Sequence, residues 1–277
     1  QVASSVASVG GPTTPLGATL NAAAHIPTAV WIDSIGNLQL ARDALTQAWR
    51  RQRATRRPVL TVFVVYNLPD RDCAASASVG ELSGGEAGLE RYTREFIEPL
   101  AEIVRGFPEQ RVAFMLEPDS LPNLATNAGN PHCGNSATRA AYTQGISYAV
   151  TKLAAAAPSA ALYLDAAHGG WLGWDNNAQS FAALVKSLNV ATHLRGMSSN
   201  VANYQTLGVA CPASAFANKL PLYCQQNKTD ACCADPCKML SQWSSGNNEL
   251  NYVQAMSNHL SSAIPGFKPK WVIDTGR

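Results

Sequence analysis

Three short stretches place groups capable of acid–base work directly after apolar runs. In the first, VLTVFVVYN (59–67) leads into Asp70, Arg71 and Asp72, with Tyr66 just before them. In the second, VAFML (112–116) leads into Glu117, Pro118 and Asp119. The third, YLDAAHGGWLGW (163–174), holds Asp165, His168, Trp171 and Trp174. Burying a carboxylate costs several kcal/mol unless it is paired or hydrogen-bonded. Each stretch is therefore either an ordinary polar loop or part of an assembled charged site. Two carboxylates held close cannot both ionise easily, so one stays protonated and can act as a general acid.

Each residue also has a plainer reading. Asp119 can cap a helical turn over SLPNLATN, Asp72 can pair with Arg71, and Trp171 and Trp174 can be core residues. Gly169, Gly170 and Gly173 weigh against a core placement, because cores do not favour glycine beside each indole. Flat indoles flanked by carboxylates, amides and an imidazole suit the apolar faces and hydroxyls of sugar rings. Pro118 fixes the backbone before Asp119 and so holds it in one direction.

These groups need elements to position them. Strand-like runs are expected at 29–33, 59–67, 111–117, 161–166, 195–201 and 270–274. Helical patterns lie near 38–55, 85–105, 137–156, 177–188 and 248–262. In the second of these, Leu89, Tyr92, Phe96, Leu100 and Ile103 recur at helical spacing before Gly106 and Pro108. Strand–helix alternation implies α/β architecture with a parallel sheet. An open doubly wound sheet and a β/α barrel both fit that alternation. Asp33, Asp72, Asp119 and Asp165 fall at the C-terminal ends of four different strands. A barrel brings all such ends to one face, whereas an open sheet gathers only those at its switch point, so the barrel is preferred.

Residues 1–24, rich in Ala, Ser, Thr, Gly and Pro, read as an irregular lead-in to a domain over 25–277. The chain opens on Gln1, which reads as a processed product. It stops three residues past a sixth strand, which implies a continuing barrel. Residues 205–247 form an insertion with Cys211, Cys224, Cys232, Cys233 and Cys237. Disulfides in an oxidising compartment explain them. A zinc site would want C-x-x-C pairs or histidines, and this stretch has neither. Asn227-Lys228-Thr229 matches a glycosylation acceptor.

The net charge of +2 gives no electrostatic case for nucleic acid. No run of about 20 apolar residues suggests a membrane span. No phosphate-binding loop, dinucleotide fingerprint, HExxH or G-x-S-x-G motif is present, and no metal or other cofactor is called for.

Taken in order, VVYNLPDRDCAASAS (64–78), EPDSLPNLATN (117–127), YLDAAHGGWLGW (163–174), SNVANY (199–204) and VIDTGR (272–277) make a specific set. Through them the chain resembles glycoside hydrolase family 6, the cellulose-degrading cellobiohydrolases and endoglucanases. The likeness spans about 25–207 and 250–277. It implies a distorted seven-stranded parallel β/α barrel that would be incomplete at the C-terminus here. It also implies a secreted monomer acting on cellulose and cello-oligosaccharides with inversion of configuration.

The resemblance assigns roles residue by residue. Asp119 would be the general acid, and Asp72 the neighbour that keeps it protonated and organises water. Tyr66 would favour a distorted sugar ring, Ser78 would position the attacking water, and Asp165 would lie near the same subsite. Apart from the resemblance, Arg71 is the natural partner that makes a charged Asp72 tolerable. Trp31, Asp33, Asn127, His168, Trp171, Trp174 and Asn203 would line the glucan subsites, and Cys73 and Cys133 would form a disulfide. The family's candidate base would lie beyond Arg277. The loop TNAGNPHCGN (126–135) and the insertion are closer to the cellobiohydrolases. An endoglucanase of the same family and a glucan-binding protein without turnover are the alternatives.

Overall fold

The strand-forming runs are rich in Val, Leu, Ile and aromatic residues, which suit a pleated surface covered on both faces. In the computed structural model, which describes residues 2–23, 26–75 and 77–276, they form β1 (Val30–Ile32), β2 (Leu60–Val65), β3 (Arg111–Leu116), β4 (Ala161–Asp165), β5 (Gly196–Ser199) and β6 (Lys270–Ile273). Every neighbouring pair is parallel, in the order β1-β2-β3-β4-β5-β6. Each strand joins the same advancing edge. A doubly wound sheet reverses at a switch point and this one does not. The winding is that of a barrel wall, and it brings every C-terminal strand end to one rim. Among the described residues β1 and β6 are the sheet's edges, and the seventh strand implied by the resemblance is not among them. Arg277, the last residue of VIDTGR, lies outside the described residues.

The N-terminal stretch is not the irregular lead-in expected over 1–24. It holds α1 (Val2–Ser8) and α2 (Pro15–Ala23), while Gln1 and Ala24 lie outside the described residues. Alanine is the best helix former, and Pro15 opens α2 where a missing N–H costs nothing. Thr14 Oγ1 accepts the Gly17 N–H at 3.0 Å and caps that turn.

On the outer face of the sheet run α3 (Leu38–Thr55), α4 (Glu86–Arg91) and α5 (Glu98–Arg105), the last two joined by a π turn over Tyr92–Ile97. Pro99 explains the π turn: it has no N–H to donate and its ring would strike the carbonyl four residues back. Next come α6 (Ser120–Thr126), α7 (Pro131–Gly134), α8 (Ser136–Ala156), α9 (Gly169–Leu172) and α10 (Asp175–Ser187). The insertion contributes α11 (Leu220–Gln226), and α12 (Glu249–Ala263) follows it.

Period-two alternation divides the strand side chains between two cores. Phe63, Val65, Phe114, Leu116, Leu162 and Leu164 face the helices. Val64, Tyr66, Ala113, Met115 and Tyr163 face the concave side, with Val201. Tyr66 and Tyr163 therefore point inward, toward the rim where chemistry can be placed.

The insertion is braced by the disulfides Cys211–Cys232 and Cys224–Cys233 around a small core of its own. The sulfurs of Cys211, Cys232 and Cys233 lie close together, but all three are in disulfides and offer no thiolate to a metal. Cys237 is exposed and unpaired.

Candidate active site

At the exit of β2 the backbone turns sharply. Asp70 and Asp72 both hold left-handed φ angles, 55° and 59°. Asp70 anchors the loop: its carboxylate accepts the Gly84 N–H at 2.7 Å and the Thr138 hydroxyl at 3.0 Å. Its carbonyl also accepts the Tyr142 hydroxyl at 2.7 Å. Asp72 Oδ2 accepts the Ser78 N–H at 2.9 Å, so the root of the Ser78 segment is tied to that carboxylate. The Cys73–Cys133 disulfide joins this loop to the one after α6. Between the two loops opens a cavity of about 490 Å³, lined in part by Arg71, Asp72, Val79, Asn130 and His132.

Arg71 does not pair with Asp72. Its guanidinium donates to the carbonyls of Asp33 (2.6 Å), Ser78 (2.9 Å) and Tyr66. It also lies over the Tyr66 ring, 4.5 Å from the centroid. Three carbonyls converge on one planar fork, and arginine's fixed donor geometry suits that better than a single carboxylate. Trp31 meets the same tyrosine edge-on at 5.9 Å. Asp33 accepts the Asn37 side-chain N–H at 2.6 Å.

At the exit of β3, Glu117 and Asp119 again have left-handed φ, 51° and 62°. They do different jobs. Glu117 is fully buried. It accepts the N–H groups of Asn67 (3.1 Å) and Leu68 (3.2 Å) and the Tyr92 hydroxyl (2.7 Å). The π turn thus delivers Tyr92 to a carboxylate that locks the β2 exit to the β3 exit. Asp119 is half-buried and immediately precedes α6, but its side chain makes no capping hydrogen bond. Its own N–H donates to Asp165 Oδ2 at 3.0 Å.

At the exit of β4, Asp165 is buried, and Oδ2 also accepts the Ala167 N–H at 2.9 Å. His168 starts α9 and meets Trp171 at 6.5 Å between ring centroids. Trp171 packs partly on the outer core, and its Nε1–H donates to Thr126 Oγ1 at 2.8 Å. That bond bridges the β4 and β3 exits. The glycines between the indoles serve close approach. A Cβ on Gly173 would lie 2.5 Å from Ser244 Oγ and 2.8 Å from Gly246 Cα. Trp174 donates its Nε1–H to the Gln242 carbonyl at 3.0 Å, so it leans on the insertion. Asn127 donates to Asn123 Oδ1 at 2.7 Å at the end of α6, and Asn203 lies exposed beyond β5.

Burial raises the Tyr66 hydroxyl's pKa, and the negative charges of Asp72 and Asp119 raise it further. Asp165 is raised mainly by burial and then by Asp119. Burial lowers His168, which favours its neutral imidazole. Strained backbone concentrates on this rim: Asp70, Asp72, Glu117, Asp119, Ala167 and Asn200 are left-handed at the exits of β2 to β5. Each such residue costs about 1–3 kcal/mol and persists only where its surroundings enforce it.

A sequence profile described as "Glycosyl hydrolases family 6" matches residues 2–277. The chain belongs to glycosyl hydrolase family 6. It is 35% identical over 263 residues to the 1,4-beta-D-glucan cellobiohydrolase CEL6B of Podospora anserina, covering 92% of this chain and 55% of that protein. The chain spans about half the length of the curated relatives it matches. Among solved structures it is similar to the CcCel6A catalytic domain complexed with p-nitrophenyl beta-D-cellotrioside. The TM-score is 0.81 at 32% identity, over 100% of this chain and 68% of that one. It is also similar to the catalytic core domain of the cellobiohydrolase Cel6A from Chaetomium thermophilum, with a TM-score of 0.79 at 30% identity, over 100% and 70% of the two chains.

In this family 6 chain the structure adds two carboxylates to those singled out from sequence. Glu117 was in view but without a role. Glu249, on α12, is fully buried, and its Oε2 accepts the Gly169 N–H at 3.0 Å, fixing the start of α9. Burial raises both to about 7. The only sequence signal for Glu249 is its place after Asn247-Asn248 at a helix start, which reads as ordinary capping.

Proposed function

We propose that the chain hydrolyses the β-1,4-glucosidic bonds of cellulose as a secreted, inverting cellobiohydrolase. The observation that carries the reading is that Asp72, Asp119 and Asp165 follow three adjacent parallel strands on the rim that inward-facing Tyr66 shares, with Asp119's backbone N–H held by Asp165. Asp119 gives its proton to the glycosidic oxygen as the bond to the anomeric carbon breaks. Asp72's negative charge favours the protonated form of Asp119 before that step. A water organised by Asp72 and Ser78 adds from the opposite face, and its proton passes to a general base. Tyr66, held by Trp31 and Arg71, crowds the sugar at this point. Trp31, Asp33, Asn127, His168, Trp171, Trp174 and Asn203 contact the flanking sugars. Release of cellobiose from chain ends is favoured over internal cleavage because named relatives it is similar to are cellobiohydrolases.

Proton NMR of freshly formed product from cello-oligosaccharides tests the chemistry. The α-anomer is expected first, and a first burst of β-anomer contradicts inversion. Early, steep viscosity loss on carboxymethylcellulose would favour the endoglucanase reading. Binding without turnover would leave a glucan-binding protein.

A further inference from the structure

A single exposed aromatic side chain is ordinary on a protein surface. Three features set Trp243 apart. It is the insertion's one tryptophan and, at 54%, is more exposed than Trp31 or Trp49. Its backbone is left-handed, φ 63°, a conformation that costs a bulky residue strain and that glycine would adopt freely. Finally, the segment around it is clamped. Asp235 accepts the N–H groups of Met239 and Leu240 at 2.8 Å each. The Trp243 N–H donates to the Leu240 carbonyl at 3.1 Å, and the Ser244 N–H to the Met239 carbonyl at 3.1 Å.

The clamp is built against Trp174. Gln242, on one side of Trp243, accepts the Trp174 indole N–H. Ser244, on the other side, forms an antiparallel bridge with Trp174, and the Ser245 N–H donates to the Gly173 carbonyl at 2.8 Å. Bridge partners have Cα atoms about 5 Å apart and chain neighbours 3.8 Å, which places the Trp243 Cα within roughly 10 Å of that of Trp174. Rigid elements hold binding groups better than free loops do, and the Cys211–Cys232 and Cys224–Cys233 disulfides stiffen this insertion.

We infer that Trp243 is an additional sugar-stacking platform that extends the β-1,4-glucan path beyond Trp174. It is carried by the insertion rather than by the barrel rim. The inference rests on the cellulase reading above, and its ligand is the part of a long glucan chain that a short oligosaccharide does not reach.

Calorimetric titration with cellotriose and cellohexaose tests it, with Asp119→Asn present throughout to halt turnover. Trp243→Gly removes the indole while fitting the left-handed backbone, so the fold is not put at risk. The expected result is a loss of about three- to ten-fold in cellohexaose affinity relative to cellotriose, as one aromatic contact supports. Trp243→Phe should recover most of it. Trp49→Ala, on the outer helix α3, should leave the ratio where it was. Equal ratios in the parent and in Trp243→Gly overturn the subsite and leave the cellulase reading standing. Failure of the parent to bind either sugar overturns both.

Discussion

At the strand exits, Glu117 gathers the N–H groups of Asn67 and Leu68, Asp165 gathers those of Asp119 and Ala167, and Glu249 takes that of Gly169. In the insertion over 205–247, the buried contacts are neutral. Asn247 and Asn251 donate to the Cys232 carbonyl, Asn248 donates to the Val209 carbonyl, and two disulfides close the loops. Both regions are irregular backbone that must be held still. The rim is held by fully buried carboxylates, whereas the insertion relies on buried amides and disulfides, with Asp230 and Asp235 accepting backbone N–H groups nearer its surface. A carboxylate can organise several N–H groups and also set the field around a reacting proton. An amide or a disulfide can fix shape but cannot set that field. The rim therefore ties its shape to buried acidic groups, while the insertion adds covalent cross-links to its hydrogen bonds.

The largest effect should come from separating the two kinds of rim carboxylate. Asp119→Asn should lower turnover on cello-oligosaccharides by about 10²–10⁴-fold, the usual contribution of a general acid, with little change in the urea midpoint. Normal turnover by that variant removes Asp119 from the acid's role. Glu117→Ala should do the reverse at the level of the fold. It strands two backbone N–H groups and a buried tyrosine hydroxyl, and should cost about 3 kcal/mol in urea denaturation. A cost below that of opening an insertion disulfide would break the contrast between the regions.

The pH dependence follows from Glu117 and Glu249. Burial raises both from 4.5 to about 7. Between those values the folded chain holds protons that the unfolded chain has released, so stability falls as pH rises through this window. The melting temperature should drop from pH 4.5 to pH 7, by up to about 3 kcal/mol of stability for each group. Glu249→Gln should flatten the slope. A midpoint that climbs across this range would contradict the burial argument. The smallest effect is expected from Cys211→Ser with Cys232→Ser. Opening that loop should cost about 2–3 kcal/mol, appearing as faster proteolysis within 205–247 while the barrel fragment survives.

Much of the frame was legible in the sequence because it depends on local pattern. The six strands fall within a residue or two of the apolar runs, and α3, α8, α10 and α12 follow their helical periodicity. The carboxylates after β2, β3 and β4 could be picked out because they interrupt apolar runs. The contacts those groups make were harder to see. Arg71 and Asp72 are adjacent and oppositely charged, so pairing was the natural expectation. The carbonyls of Asp33, Tyr66 and Ser78 converge on Arg71 only once β1 and β2 lie side by side. Asp70 had no role until α8 brought Thr138 and Tyr142 to it. Glu249 reaches Gly169 across 80 residues of chain, a distance over which spacing carries no information.

The order of apolar and polar residues alone determined a parallel α/β wall with its acidic groups on one rim. Side-chain period and strand propensity act over a few residues at a time. The tertiary structure decided which backbone and side-chain donors each rim carboxylate meets, and it seated Trp243 beside Trp174. Those outcomes depend on burial and on donors from distant segments, and neither exists until the chain has closed on itself. VLTVFVVYN could announce a strand, but only its packed neighbours could turn the charges that follow it into a site.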